Sequence, residues 1–588
     1  MFSARHLLKK AHQTFGPFRG WTHRKVLLYG LGWVILFSVF WTISALGALR
    51  TFVPNTFQIT GLPGSERTYL VLLQNNAELR ATGGFISAFA LMDFKNGFPV
   101  SIEFQDVYGE IDDHGYMSPP YPMDILLEKD SEAYNGYSFR DANFNPDFTE
   151  ATKEVLKFFH LTHPAKQVDG VVAINFSVLE SIVNLYEPLH VDGEKFTKNN
   201  LFETLENSVS DIDRHNIEAL AGRKNIIKDF AYSVIHNMVF KPWKWRELSE
   251  VLTQSLNEKE ILVAFTSNPS LAGKIKRLGW DGSFPSPNKN HPMDVLAVNI
   301  SNFGGMKSDR YLTRDVHYAI ELTDQKDAEG NYIAYADLEV TLRHRGDYNT
   351  PLSGEYKGYL RAFAPMGTEL LESSTGASYQ EFIANYVGWG DTILMQPGEV
   401  STYTYRFRLA PGVFQKDQYN LHLVKQPGTA RDYYDVTVKS PIGGNLRGSR
   451  FDTHENVAFF QSNLTHDMDL KLTLLPDELP PRLFWQEIAD LNVIELTFAE
   501  PMDASFAEDP LNYEIFDLNV NVPELDDGKL FIDFIEVRDG ALRIFTRGMN
   551  PQPEEHYQVQ LRNLRDNSGN PIRPNPRTVT VVQRLGVE

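Results

Sequence analysis

Leu70-Val71-Leu72-Leu73-Gln74-Asn75-Asn76-Ala77-Glu78-Leu79-Arg80-Ala81-Thr82-Gly83-Gly84 starts apolar, turns polar and ends on paired glycines. Its apolar half, with Thr68 and Tyr69 ahead of it, predicts a short buried strand over 68–74. Phe85-Ile86-Ser87-Ala88-Phe89-Ala90-Leu91 predicts a second. The glycines between them permit a tight turn or the close backbone approach of a ligand. Asn96-Gly97 then turns the chain into an alternating strand over 100–107. Three adjacent strands of one sheet follow.

Downstream, Pro146-Asp147 precedes a predicted helix over 150–159, and Gly170–Ile174 reads as a further buried strand. Ser177 and Glu180 have the spacing of a capping box for a helix over 177–185. Helical patterns continue over 197–210, 214–238, 245–256 and 258–268. Strands and helices thus interleave from 68 to 305, the mark of an α/β layered head domain. After Gly304-Gly305 the pattern becomes alternating strands separated by Gly, Pro and Asn turns, which predicts a β-sandwich over 306–470. A second all-β unit is expected over 471–588, beyond Pro476, Pro480 and Pro481.

Upstream of the head, residues 1–25 carry six Lys/Arg and no acid. An uncharged run over 26–49 follows, then Arg50 and a linker through 67. At about 1.5 Å per residue the run spans roughly 36 Å, long enough for a transmembrane helix. The basic tail places its N-terminal side in the cytoplasm and everything after Arg50 outside, at a bacterial plasma membrane. Ala45-Leu46-Gly47 offers a signal-peptide cleavage pattern as the alternative, but the apolar run is longer than a usual signal core.

The 588 residues include no cysteine, which removes disulfides, thiolate metal sites and cysteine nucleophiles and fits export across a bacterial membrane. The net charge is −20 despite the +6 tail. The exported body is therefore strongly acidic, which excludes nucleic acid as a partner and opposes flat adsorption to anionic lipid.

Three polar clusters could carry chemistry: Gln74–Gly84, Phe139–Asp147, and Asp211, Asp213, Arg214 and His215 with Arg223 and Lys224 beyond. Arginines beside carboxylates suit a phosphate and its Mg²⁺. Aromatic stapling, helix capping and a solvated helix face explain the same residues without a ligand. No P-loop, Gly-x-Ser-x-Gly or His-Glu-x-x-His pattern supports a hydrolase.

Residues 70–84, 139–148, 169–175 and 304–309 resemble motifs of a bacterial family of membrane-anchored exported proteins, domain of unknown function 4012, over roughly 60–440. More faintly the head resembles the LytR–CpsA–Psr phosphotransferases, which join lipid-pyrophosphate-linked glycopolymers to the cell wall. That resemblance implies catalytic roles for Arg80, Arg140, Asp141 and Arg223. It implies ligand contacts from Asn75, Asn76, Glu78, Thr82, Asn143 and Lys224, and Mg²⁺ held by Asp106 and Asp141. Thr82 stands where that family has a metal-binding Asp, and Lys224 where it has a Gln. Leu496–Asp503 and Asn563–Asn570 resemble motifs of bacterial Ig-like surface domains. Asp566 and Asn570 within the latter read as a turn or, less simply, a calcium site.

The expectation is a multidomain envelope protein: transmembrane helix, α/β head, β-sandwich and Ig-like β-sandwich. It would contact the plasma membrane through 26–49 and bind or scaffold a lipid-linked glycan or cell-wall polymer. The alternative is a glycopolymer phosphotransferase, and convergence of Arg80, Arg140 and Arg223 in one cleft would favour a binding site.

Overall fold

The computed structural model describes residues 56–107, 117–126, 137–191, 193–210, 217–285, 293–304, 306–348, 352–376, 379–415, 417–430, 432–440, 445–454, 456–475, 478–518, 528–538, 541–549 and 555–582. The basic tail and the 26–49 run lie outside these residues. Among the described residues no helix is long and apolar enough to cross a membrane. The chain is multidomain and mostly β, with several sheets.

The first sheet begins with β1 (Glu66–Arg80), β2 (Gly83–Lys95) and β3 (Phe98–Asp106), and continues with β4 (Gly170–Asn175). Its order is β3-β2-β1-β4 and then Ile261–Phe265 at the far edge. The three N-terminal strands are antiparallel neighbours, whereas β4 lies parallel to β1. The parallel step needs a crossover, and the helix Phe148–Thr162 lies in it. Its Phe148, Val155, Phe158 and Phe159 pack with Leu70, Leu72, Phe89 and Leu91 from one sheet face. The opposite face meets Val178, Ile182 and Val183 of the helix Phe176–Tyr186 and Leu248 of Trp245–Asn257. Helices on both faces make this head a three-layered α/β unit.

Two local readings differ from the structure. The stretch 258–268 contains a strand, Ile261–Phe265, antiparallel to β4. Five consecutive apolar residues are too few for a stable helix, and Lys259 just before them has φ +58°, which ends helical winding. Ser177 and Glu180 form no capping box. The Ser177 hydroxyl donates to Glu260 Oε2 (2.6 Å) and Glu180 pairs with Arg310 (3.0 Å). Asp147 does cap its helix: Oδ1 accepts from the Thr149 and Glu150 amides at 2.9 and 3.3 Å.

β1 also runs farther than its apolar half. It continues through the polar residues to Arg80, with a bulge between Asn75 and Leu79 opposite β2. The bulge brings the Asn75 backbone against Gly84, where a Cβ would lie 2.1–2.4 Å from Asn75 and Asn76 main-chain atoms.

The next unit is two large sheets, seven- and eight-stranded, around one core. Alternation built it: along Leu312–Lys326, Val316, Tyr318, Ile320 and Leu322 point inward while His317 and Glu321 face out. The eight-stranded sheet includes Asp294–Asn302, paired with Tyr356–Pro365 and Gln418–Val424, and Met468–Leu475. Sandwich pairing therefore begins at Asp294, inside the span read as head, and ends at Leu475. The C-terminal unit has a four-stranded and a three-stranded sheet around a separate core that includes Ile494, Leu496, Ile515, Ile544 and Val559.

Gly84→Ala should lose about 3 kcal/mol of stability, because backbone cannot yield to the added methyl as a side chain would. Urea unfolding of the variant against the parent measures it. An unchanged midpoint would mean that the bulge is not rigid.

Candidate functional site

β1 reaches past the head and delivers its polar end to the sandwich. Arg80, its last residue, is 4% exposed. Its Nε and Nη2 donate to Asp141 Oδ1 at 3.1 and 3.0 Å, and Nη2 also reaches Glu78 Oε1 at 3.4 Å. Nη1 donates to the Asn302 carbonyl on the sandwich strand Asp294–Asn302. The Phe85 and Phe303 rings lie beside the guanidinium, with centroids 5.2 and 5.4 Å away. Arg140 Nε stands 3.6 Å from Asp141 Oδ2, so two arginines share one carboxylate.

A second layer of contacts ties the same strand end to the residues after Asn302. Lys307 Nζ donates to Glu78 Oε2 at 2.6 Å. Burial works to raise the Glu78 carboxyl, but Lys307 and Arg80 outweigh it and hold the group below its ordinary value. Asp309 Oδ2 accepts from the Leu79 amide (2.8 Å) and Asn302 Nδ2 (2.7 Å), and its Oδ1 accepts from the Tyr356 hydroxyl (2.9 Å). Burial nevertheless pushes the Asp309 carboxyl up to about 6.

The sandwich closes over the β1–β2 turn. Gln426 Nε2 donates to the Arg80 and Ile300 carbonyls at 3.2 and 2.6 Å, and Asn299 Nδ2 donates to the Ala81 carbonyl at 3.0 Å. Gly428 lies so close to Gly83 that a Cβ on it would be 3.0 Å from the Gly83 Cα. The close approach that the paired glycines allow is thus made by the protein's own backbone. Asn143 Nδ2 donates to the Gly84 carbonyl (2.9 Å), while Asn75 and Asn76 donate to Glu206 (2.8 Å) and to the Gly428 carbonyl (3.0 Å). Thr82 is fully buried, and its hydroxyl has no hydrogen-bond partner among the described residues.

These placements bring together Arg80, Arg140, Asp141, Glu78, Thr82 and Asn143, with Asn75 and Asn76 beside them. The side chains of Arg223 and Lys224, on the helix Ile217–Phe240, lie outside the described residues, as do Asp211, Asp213, Arg214 and His215. Asp106 is buried at the end of β3, opposite Ala88 of β2. The donor set does not fit Mg²⁺. Asp141 already serves two arginines, Thr82 supplies a hydroxyl where a carboxylate would be needed, and no group of three or more His, Asp or Glu side chains gathers among the described residues. In the C-terminal unit Asp566 accepts from the Asn570 amide (2.8 Å) and Nδ2 (3.1 Å), so its carboxylate closes a turn.

Sequence reasoning missed most of the partner residues. Arg361, 1% exposed, sits 4.4 Å over the Phe144 ring and donates to the Phe144 carbonyl (3.0 Å) and Asn299 Oδ1 (2.9 Å). Lys259 pairs with Asp467 (2.6 Å) and Lys425 with Glu260 (3.2 Å), each joining head to sandwich. Burial opposes the charge on Asp467, but Lys259 and His422 hold its carboxyl far below the usual range. Beside the Lys425–Glu260 pair is an open cleft of about 190 Å³, lined by Ser177, Ser181, Gln254, Ser255, Thr429 and Thr465 among others. The hydroxyl residues gave no motif to notice, because they come from four separate segments.

The family described as protein of unknown function (DUF4012) matches residues 65–209. The match includes the motifs at 70–84, 139–148 and 169–175 and stops short of 304–309. No curated protein matches the chain. Among solved structures, the N-terminal part of the bacterial S-layer protein SbsC is 20% identical over 18% of this chain and 24% of that one, with a TM-score of 0.16. The chain thus spans about a quarter of that relative's length. The Lin1025 protein of Listeria innocua is 9% identical over 37% of this chain and 79% of that one, with a TM-score of 0.20. An M1 zinc metallopeptidase from Deinococcus radiodurans is 14% identical over 32% and 46%, with a TM-score of 0.18. Likenesses of this size do not establish a shared fold.

Arg80→Ala should cost about 3–5 kcal/mol, since it leaves the buried Asp141 carboxylate with Arg140 alone and takes a donor from the buried Asn302 carbonyl, and Arg80→Lys should restore only part, having no planar fork. Chemical denaturation reads both. The native Asp309 carboxyl holds its proton up to about 6, whereas the unfolded one loses it near 3.8. Stability should therefore decline as pH rises between those values, and the decline should be smaller in Asp309→Asn. Melting temperatures from pH 4 to 7 decide it.

Proposed function

We propose that the chain is a single-pass, membrane-anchored bacterial envelope protein, with a body outside the plasma membrane that binds or scaffolds a cell-surface glycopolymer. The observation that carries the binding reading over phosphotransfer is the employment of Arg80. A catalytic arginine must aim free donors at charge that develops in the transition state. Every Arg80 nitrogen already faces a protein acceptor, and the sandwich covers the strand end where a pyrophosphate would have to lie.

The cleft beside Lys425–Glu260 suits a sugar better. Its volume is that of about one monosaccharide, and the oxygens of Ser177, Ser181, Ser255 and Thr429, whose own protons go to Glu260 and to the Ser177, Val251 and Gln426 carbonyls, are acceptors for the hydroxyl protons of a sugar ring. The Leu496–Asp503 segment and the paired C-terminal sheets support an Ig-like module, a common spacer in surface proteins. The phosphotransferase reading keeps one argument, the meeting of Arg80 and Arg140 at Asp141.

Ser181→Trp should fill the cleft and abolish retention on immobilised cell-wall glycan while leaving the melting temperature within about 2 °C. Retention equal to that of the parent would remove the cleft from consideration. Incubation with a polyprenyl-pyrophosphate-linked glycan and Mg²⁺ should release no lipid phosphate. Release that disappears in Arg140→Ala would instead support phosphotransfer.

A further inference from the structure

The end of the head farthest from the sandwich carries a surface that the glycan reading does not use. β1 and β4 run parallel from that end, Tyr69 beside Gly170, toward the sandwich end, Gln74 beside Asn175. The chain arrives there from its N-terminal side, for the Tyr69 hydroxyl donates to the Ile59 carbonyl (2.6 Å). The helix Phe176–Tyr186 leaves the sandwich end, where Glu180 pairs with Arg310, and its 11 residues return Tyr186 to the arrival end. Lys241 Nζ lies 5.8 Å over the Tyr186 ring. The turn after the helix Ile217–Phe240 is thereby placed at the arrival end, held by Trp245 Nε1 donating to the Met238 carbonyl (2.7 Å).

That turn reads Met238-Val239-Phe240-Lys241-Pro242-Trp243-Lys244-Trp245-Arg246. Val239, Phe240 and Trp243 are 55, 66 and 69% exposed. No acid occurs from Phe230 to Arg246, in a chain of net charge −20. Arg246 pairs with Glu250 (3.2 Å). Leu62 on the arriving segment and Phe98 and Val100 on edge strand β3 are exposed at the same end, since Phe98 pairs with Lys95 and Lys95 with Glu66.

We propose that this end of the head is a membrane-contact surface. Phe240 and Trp243 enter the lipid interface with Val239, and Lys241 and Lys244 meet anionic headgroups. Large exposed aromatics flanked by lysines are the composition that the interface selects. Geometry selects a bilayer over a protein partner. Thr56, three residues before Ile59, follows the last residue of the apolar run, Leu49, by seven residues, so it lies within about 25 Å of wherever that run ends. The acidic remainder of the body is repelled by the same headgroups, so the head stands on this end instead of lying flat. The proposal rests on the membrane-anchored reading.

Absence of cysteine makes the test direct. Trp243→Cys, and Leu511→Cys in the C-terminal unit as a control, would each carry an environment-sensitive fluorophore. The full chain is reconstituted in 3:1 phosphatidylcholine–phosphatidylglycerol vesicles with or without doxyl-labelled lipid. The label at 243 should shift to the blue and lose at least half its emission to the doxyl lipid, while the label at 511 does neither. Equal, water-like emission at both sites, in protein that resists carbonate extraction, would overturn the contact surface and leave the anchor standing. A blue shift at 243 without doxyl quenching would mean that a second copy covers the patch, and would also overturn it. Release by carbonate would sink the anchor itself, and the proposal with it.

Discussion

The buried pair of Arg80 and Asp141 is the constraint on which the rest of the structure turns. A guanidinium at 4% exposure is tolerable only when its donors are satisfied. Asp141 comes from the single helical turn Phe139–Asp141, Glu78 and the Leu79 carbonyl from β1 itself, and a further acceptor is the Asn302 carbonyl of a sandwich strand. The arginine therefore has its full complement only when head and sandwich are joined. Lys307, Asp309, Gln426 and Asn299 then add bonds that cross the same seam, and Lys259–Asp467 and Lys425–Glu260 extend it.

This seam gives the four motifs singled out in the sequence a common physical meaning. Residues 70–84 supply Arg80 and its bulge, 139–148 supply Asp141 and Asn143, and 304–309 supply Lys307 and Asp309. In 169–175, Asn175 crowds Gly83, where a Cβ would meet its Oδ1 at 2.3 Å. They read as scattered polar loops because the contacts that unite them span up to some 230 positions in sequence. Lys259 shows the same logic. Its left-handed backbone would suit glycine, yet its ammonium is wanted by Asp467.

Much of the layered head and both β units was legible in periodicity. Val316, Tyr318, Ile320 and Leu322 alternate because every second side chain meets the core, and Val155, Phe158 and Phe159 share one helical face for the same reason. The strand Ile261–Phe265 was not legible, since five apolar residues fit either state until β4 offers an open edge. The candidate site was legible as residue types but not as a function. Arg80 beside Asp141 and Arg140 has the composition of an anion site, and composition is blind to the Asn302 carbonyl and Gln426, which arrive from the sandwich.

By itself the sequence determined the alternation that makes sheets, the absence of thiol chemistry, the acidity of the body and the apolar run with its basic flank. These are local or summed properties, set by each residue's own chemistry. Only the tertiary structure decided that the polar end of β1 is a junction, that its glycines admit protein backbone, and that an aromatic–basic turn shares an end of the head with the arriving chain. Each depends on which distant segments meet, and a buried charge takes its role from what it meets.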